Sequence, residues 1–461
     1  MEKGTTAYGR LFRNRTFLAL WLGQTVSFIG DYFYILAIPI MVEELTGSAL
    51  QVGLSFMASA LPMLLLGPVA GVFVDRWDRK WTMIVADLLR ALLVLACLSV
   101  RRPDQVWIYY VVAFLMSSVS RFFFPAQNAV LPLVIEDRND LLAANGLMQI
   151  VQTVGLVVGP ATAGFAIALW GEQIAFSVDS ATFLVSALAI ITMVVPRTTG
   201  GRQKAEGGEL AAVWAELREG VVYLFGNRVM VGVLLCLSVV SLGLGAINVI
   251  WVPFMKRTFG LGAEGLGAVD AAQGIGMIVG GLLLGFMTTR FRKRPLAGWS
   301  IVFIGAMIAL VGLSPAFSLL NLFPGLAVGA PLEELTVGQR LLAMPLMLLV
   351  YSLLLGIALV PAQSALTTMM QLAVPDLKRG RVGSALNALT TVASLLSMVA
   401  AMTLGEVVSL RLIYFVAGIL VSAGGLVGLY VLEDPQDLEP VPAQVRSETT
   451  LEPGDWAAGG T

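Results

Sequence analysis

GVFVDRWDRK, Gly71 to Lys80, is a knot of charge between two long apolar stretches. Each flanking stretch holds roughly 20 apolar residues, enough for a helix to cross the hydrocarbon core of a bilayer. A chain in that environment must satisfy its backbone hydrogen bonds internally, so both stretches read as helices. The charged residues between them are then a very short loop at the membrane surface, holding two helix ends in register. Gly71 lets one helix approach a neighbour closely. Asp75, at a helix boundary, can meet Arg76, Arg79 or the positive N-terminus of another helix, with Lys80 beside them. Residues 71–80 are thus expected to work as a conformational latch, with the start of a late span, Arg381 to Ser384, as the facing partner.

Composition agrees with a membrane setting throughout. Of 461 residues, 57% are hydrophobic and only 13% charged, whereas soluble domains carry roughly 25% charged residues. A formal net charge of −1 argues against a nucleic-acid partner. With no histidine in the chain, His-based catalysis and the usual zinc and haem ligand sets are excluded. An enzyme is not expected, nor is a cofactor or a metal. Cys97 and Cys236 lie in different apolar segments and read as small core residues.

Twelve spans are expected, near 16–41, 49–73, 81–100, 106–132, 141–169, 174–195, 229–255, 265–289, 295–316, 341–366, 381–405 and 411–432. Of the 29 Lys and Arg residues, 21 fall in the segments on the N-terminal side of the membrane and 6 on the other, with Arg90 and Arg121 inside spans. That asymmetry puts both termini of a multi-pass membrane protein on the cytoplasmic side. The first apolar segment is too long for a cleaved signal peptide and is taken as the first span.

An internal repeat divides the chain. GFMTTRFRKR, Gly285 to Arg294, falls 214 positions after Gly71 to Lys80 as a degraded copy, with Thr289 where Asp75 stood. Pro125-Ala126-Gln127 recurs as Pro361-Ala362-Gln363. The expected domains are residues 1–195, a first six-helix half; 196–228, a cytoplasmic linker with an amphipathic helix; 229–432, a second half; and 433–461, a disordered acidic tail. The second half carries an outer insertion near 316–340, interrupted by Pro324 and Pro331, which reads as a short helix or lid. The amphipathic helix reads as a strap joining the halves.

The spacing of Gly71, Asp75, Arg76, Arg79 and Lys80 resembles the signature loop of the major facilitator superfamily, with Asp78 where that pattern has glycine. Two parallel six-helix halves around a central cavity are the architecture this resemblance implies. Gly155, Gly159, Pro160 and Gly164 in GLVVGPATAG resemble the superfamily's antiporter signature, and the glycines of the eighth span, Gly274 to Gly285, offer a smooth face as its mate. The runs LFRNRTFLALWLGQTVSFIGDYF, TGSALQVGL, DRWDRK, ADLLRA and LLAANGL look like the bacterial branch containing macrolide efflux pumps and the enterobactin exporter. The resemblance implies export of a small amphipathic substrate coupled to proton entry, by a monomer. A lysophospholipid or siderophore exporter of the same fold is the alternative, and a non-transporting membrane sensor or scaffold is the alternative from another class. No Walker A loop is present, so an ion gradient is the expected energy source.

Charges inside the spans carry the functional expectation, because each costs roughly 2.5–3.5 kcal/mol on insertion scales unless it finds a partner, a cavity or a proton. The candidates for proton coupling around a cavity are Asp31, Asp87, Arg90, Arg121 and Asp179. Asp31 is the deepest of the carboxylates and the leading one. Asp87 and Arg90 are three apart and share a helix face, where they can pair. Asp179 and Asp270 fall nearer the outer ends of their spans, where snorkelling or helix capping is the default reading.

Overall fold

The computed structural model describes residues 7–74, 76–135, 137–196, 209–314, 337 and 345–433. Among these the chain is helical, and twelve helices are long and apolar enough to cross a membrane. They are α2 (Arg15–Thr46), α3 (Ala49–Val74), α4 (Arg79–Ala96), α5 (Trp107–Val134), α6 (Arg138–Trp170) and α7 (Gln173–Thr192), followed by α9 (Arg228–Phe259), α10 (Ala263–Arg290), α11 (Lys293–Leu313), α12 (Leu346–Ala373), α13 (Arg379–Leu404) and α14 (Leu410–Val431). Two further helices, α1 (Ala7–Arg13) and α8 (Glu209–Gly226), precede the two sets of six. Asp75, the linker 197–208, the tail 434–461 and, apart from Val337, the whole expected lid lie outside the described residues.

Helix boundaries follow from local chemistry. Asn14 ends α1 and caps α2, its side-chain oxygen accepting from the N–H groups of Thr16 and Phe17 at 3.0 and 3.1 Å. Asn227 does the same for α9, and such caps satisfy donors that would otherwise lack partners. Both α2 and α9 stop at a glycine in the left-handed region, Gly47 (φ 59°) and Gly260 (φ 66°), where a side chain would be strained. Asp78 accepts from the Trp81 N–H at 3.0 Å and caps α4 with φ −64°. An ordinary left-handed turn is therefore not needed where the family pattern has glycine, and aspartate there starts the next helix.

The five most extensive packing pairs within each set of six correspond: α2 with α6 and α7, α3 with α5, and α4 with α5 and α7, matched by α9 with α13 and α14, α10 with α12, and α11 with α12 and α14. The sets are bridged by α6 against α10 and by α13 against α3, which are counterparts under the same pairing. The internal repeat is thus a repeat of packing as well as of sequence. Arg10 ties α1 to the start of α6 through a two-pronged bond to Asp140, at 2.9 and 2.5 Å.

Helix α8 lies against α13. Glu219 pairs with Arg381 at 2.5 Å and with Lys378 at 3.4 Å, and Glu216 stands 3.7 Å from Arg381. A Cβ on Gly220 would sit 2.2 Å from the Arg381 carbonyl oxygen, so only glycine permits this approach. Arg381, expected from sequence to face the latch, is held by α8.

The α6–α10 crossing depends on missing side chains. A Cβ on Gly164 would lie 2.4 Å from the Ala263 carbonyl oxygen, and one on Gly267 would lie 2.3 Å from that of Pro160. The glycines of α10 do not all serve this contact, however: Gly276 and Gly280 face Leu353 and Ile357 of α12, while Gly281 and Gly285 meet nothing. We expect Gly164→Leu to cost at least tenfold in transport and to lower the melting temperature in detergent, since the displaced atoms are backbone. Parent-like stability and transport in that variant would show that the crossing can relax.

Candidate functional site

Four of the five expected charges meet inside the first six helices. Asp31 comes from α2, Asp87 and Arg90 from α4, and Asp179 from α7. Asp87 and Asp179 are fully buried and Arg90 is 4% exposed. The Arg90 guanidinium donates to Asp87 Oδ1 and is clasped between the rings of Phe123 and Phe183, each centroid 4.4 Å from its central carbon. This aromatic clasp supplements the ion pair by cation–π attraction in a dry setting. Asp31 feels Arg90 and Asp87 electrostatically, and Asp179 feels Asp31 and Arg90. Gln24 donates to the Ser186 hydroxyl at 3.1 Å, beside Asp87.

Three carboxylates thus lie within the field of one guanidinium, which bonds Asp87. Among the described residues, neither Asp179 oxygen has a hydrogen-bond partner, nor do Asp87 Oδ2 and the Tyr34 hydroxyl. Arg121, the fifth candidate, stands apart on α5, half-buried, with its Nε unbonded and no ion pair among the described residues.

Between the two sets of helices lies a cavity of about 370 Å³. Its wall includes Tyr32, Phe56, Pro160, Asn248, Trp251, Asp270, Gln273 and Tyr414. None of the five candidates lines it. Among the described residues Asp270 is the one charged side chain in this wall, and it makes no hydrogen bond or ion pair with them. The default reading of Asp179 and Asp270 as snorkelling or capping groups is corrected by these positions. Depth counted along a single helix misleads here, because α2 runs on to Thr46, beyond the expected end at 41, and packs along α7, while α10 is covered by α6 and α12. The sequence signal that would have found Asp270 is a lone acid one turn from Gly267 and Gly274, glycines that mark a helix facing the other half.

A second cavity of about 410 Å³ shares Leu244, Ile304 and Leu359 with the first and runs toward Val233 and Leu386 in the early turns of α9 and α13 and Met370 at the end of α12. The opposite end of the bundle is closed by bonds between the halves. Arg257 donates to Glu43 at 2.6 and 3.0 Å and to the Gly47 carbonyl at 2.7 Å. Lys256 meets Glu44 at 2.7 Å. Glu406 accepts from the Ser48 hydroxyl at 2.7 Å and the Leu50 N–H at 3.0 Å. Those bonds hold the Glu406 carboxyl below the usual glutamate range, the Leu50 N–H first. Its contribution is thus present above the ordinary carboxyl pKa and is lost only as pH falls through the lowered one.

Glu43 and Arg257 are 214 positions apart, the offset of the repeat, so counterpart residues with opposite charge meet across the pseudo-symmetry axis. Glu43→Gln or Arg257→Gln should speed labelling of a cysteine placed at Ile247 from the closed end by roughly tenfold, as charged hydrogen bonds contribute about 1.5–3 kcal/mol. The exchanged pair, Glu43→Arg with Arg257→Glu, should restore slow labelling. Parent-like labelling in the single variants would mean that this end is closed by packing alone.

At the other end, Lys80 donates to the carbonyls of Ile191 and Met193 at 2.8 and 2.7 Å, holding the start of α4 on the end of α7. Arg76 and Arg79 lie in the same pocket as Lys80, and Gly71 is in the last turns of α3.

The family model for the Major Facilitator Superfamily matches residues 20–241 and 233–457. The chain belongs to the Major Facilitator Superfamily. It is a multi-pass membrane transporter of a bacterial inner membrane, not an enzyme. It is 28% identical over 427 residues to the MFS-type transporter YfiS of Bacillus subtilis (strain 168), covering 91% of this chain and 94% of the relative. It is 28% identical over 301 residues to macrolide efflux protein A of Streptococcus pyogenes, covering 65% and 73%. Among solved structures, a bacterial homolog of the human lysosomal transporter Spinster, inward-facing and unoccupied, superposes with a TM-score of 0.67 at 14% identity, covering 93% of this chain and 99% of that one. The nucleoside transporter NupG gives 0.66 at 12% identity, covering 92% and 100%. At such identities these structures share the fold.

Proposed function

We propose that this transporter exports amphipathic, drug-like compounds or a secondary metabolite in exchange for protons, by alternating access between the two halves. The observation that carries the reading is the cluster of Asp31, Asp87 and Asp179 around the single cation Arg90. Fully ionised, it would hold two uncompensated negative charges in a dry bundle, and bound protons are the available means of neutralising them. Asp31 is the member of the cluster whose next residue, Tyr32, lines the central cavity, so movement there is felt by the proton site. Export is supported by relatives named as efflux proteins. The excess of Lys and Arg on one side supports cytoplasmic termini; the end closed by Glu43, Arg257 and Glu406 is then the outer one.

In this reading residues 1–195 and 229–432 are the two halves, α8 is a strap docked on the second, and the 71–80 loop, with Lys80 gripping the end of α7, is the latch at the cytoplasmic corner. The test is efflux by the purified full chain in proteoliposomes with an imposed pH gradient. Substrate-dependent proton movement that collapses with the gradient is the expected result. Transport that ignores the gradient would overturn proton exchange, and absence of any flux would favour a sensor or scaffold.

A further inference from the structure

The cavity and the proton cluster use different carboxylates in different halves of the molecule. Resting on the export reading above, we infer that Asp270 is the anionic anchor of a subsite for the positively charged group of a lipophilic monocation, separate from the groups that carry protons. Among the described residues the cavity wall holds one formal charge, and it is negative. Around it stand the faces and edges of Tyr32, Phe56, Trp251 and Tyr414, the lining that favours an organic cation over a hydrated metal ion. Asn248, Gln273 and Ser352 are neutral, so no described residue of the wall offsets Asp270. Tyr32 and Tyr414 both lie within its electrostatic reach, and Tyr414 is fixed by stacking on Phe254 at 4.4 Å between centroids. A volume of about 370 Å³, with a further cavity of about 410 Å³ behind the shared residues Leu244, Ile304 and Leu359, suits a drug-sized amphiphile.

The two sites touch through one residue. Tyr32 follows Asp31 in sequence and faces the cavity, and its ring is seated on Gly159, where a Cβ would lie 2.3 Å away. The glycine before Pro160 in the antiporter-like segment is thereby explained as the seat of a cavity aromatic. A cation drawn to Asp270 packs against Tyr32 and biases the helix that bears Asp31, without exchanging places with the proton on one group.

Equilibrium binding of tetraphenylphosphonium, a permanent monocation, to the purified full chain tests this apart from any coupling. Asp270→Asn should weaken that binding at least tenfold and change binding of neutral N-phenyl-1-naphthylamine less than twofold, while Asp270→Glu should recover most of the cation affinity. Asp31→Asn should keep saturable cation binding, its affinity shifted by the coupling alone and by less than in Asp270→Asn, and lose its response to a pH gradient. The subsite is overturned if the parent shows no saturable binding of tetraphenylphosphonium, if Asp270→Asn binds it as the parent does, or if Asp270→Asn loses both probes together while remaining monodisperse. Loss of cation binding in Asp31→Asn would return both roles to one carboxylate. Failure of the pH gradient to drive transport in the parent would defeat proton exchange and leave the binding result standing.

Discussion

Asp31→Asn is expected to abolish uphill efflux driven by a pH gradient, by at least tenfold, while downhill exchange of substrate persists. Asparagine has the shape of the protonated acid and cannot lose the proton, so the cluster is fixed in one of the two states that exchange requires. The remaining members cannot substitute freely. Asp87 is bound to Arg90, and Asp179 is fully buried on α7 without contact with the cavity wall. Asp31 also sits one residue from Gly30, which is pressed on Thr182 of α7 so closely that a Cβ would fall 2.0 Å from the threonine hydroxyl. A shift between α2 and α7 at that contact changes the surroundings of Asp31 directly. The thermal stability of Asp31→Asn should equal or exceed that of the parent, because one of three mutually repelling carboxylates becomes neutral. Reduced efflux with reduced stability would indicate damage to packing instead. Full pH-dependent efflux in this variant would move the coupling site, with Asp179→Asn and Asp87→Asn the next to measure.

The architecture was legible because the constraint that makes it is severe. Each apolar run between charged loops had to be a helix, and the twelve expected spans coincide with α2–α7 and α9–α14. Shifts are largest where polarity changes gradually: the tenth span, expected at 341–366, is α12 at Leu346–Ala373. The short α1 went unread because Asn14 interrupts a stretch with no break in composition, and only its capping bonds reveal the boundary. The pairing of Asp87 with Arg90 was readable from a spacing of three. Its clasp by Phe123 and Phe183 was not, since those rings arrive from two other helices. Asp270 is the clearest omission. Its depth along α10 is modest, and its importance comes from α2, α9 and α14 closing a chamber around it. The ion pairs of Glu43 and Glu44 with Arg257 and Lys256 could have been found by laying the repeat on itself, for Glu43 and Arg257 fall on the same repeat position with opposite charge.

Arg90→Met is expected to be the most destabilising single change in the first half. Removing one partner of a buried ion pair costs roughly 3–5 kcal/mol, because the other is left charged and dry. Here the loss is compounded: Asp87 loses its hydrogen bond, Asp31 and Asp179 lose the cation they both feel, and two aromatic faces lose their charge. Lysine should rescue only in part. Its ammonium is a point charge, whereas the planar guanidinium can lie between Phe123 and Phe183 while its edge reaches Asp87. Adding Asp87→Asn to Arg90→Met should restore a portion of the lost melting temperature, since the orphaned charge is then gone, and the double variant should be milder than the two single effects added. Thermal unfolding of the parent, Arg90→Met, Arg90→Lys, Asp87→Asn and the double variant in detergent at neutral pH reads all of this. Strictly additive losses would show that Arg90 and Asp87 act independently, and an Arg90→Met protein as stable as the parent would mean that the three carboxylates are already neutral without it. In that case Arg90 would have no part in setting the charge of the cluster, and proton exchange would have to run through Asp31 and Asp179 alone.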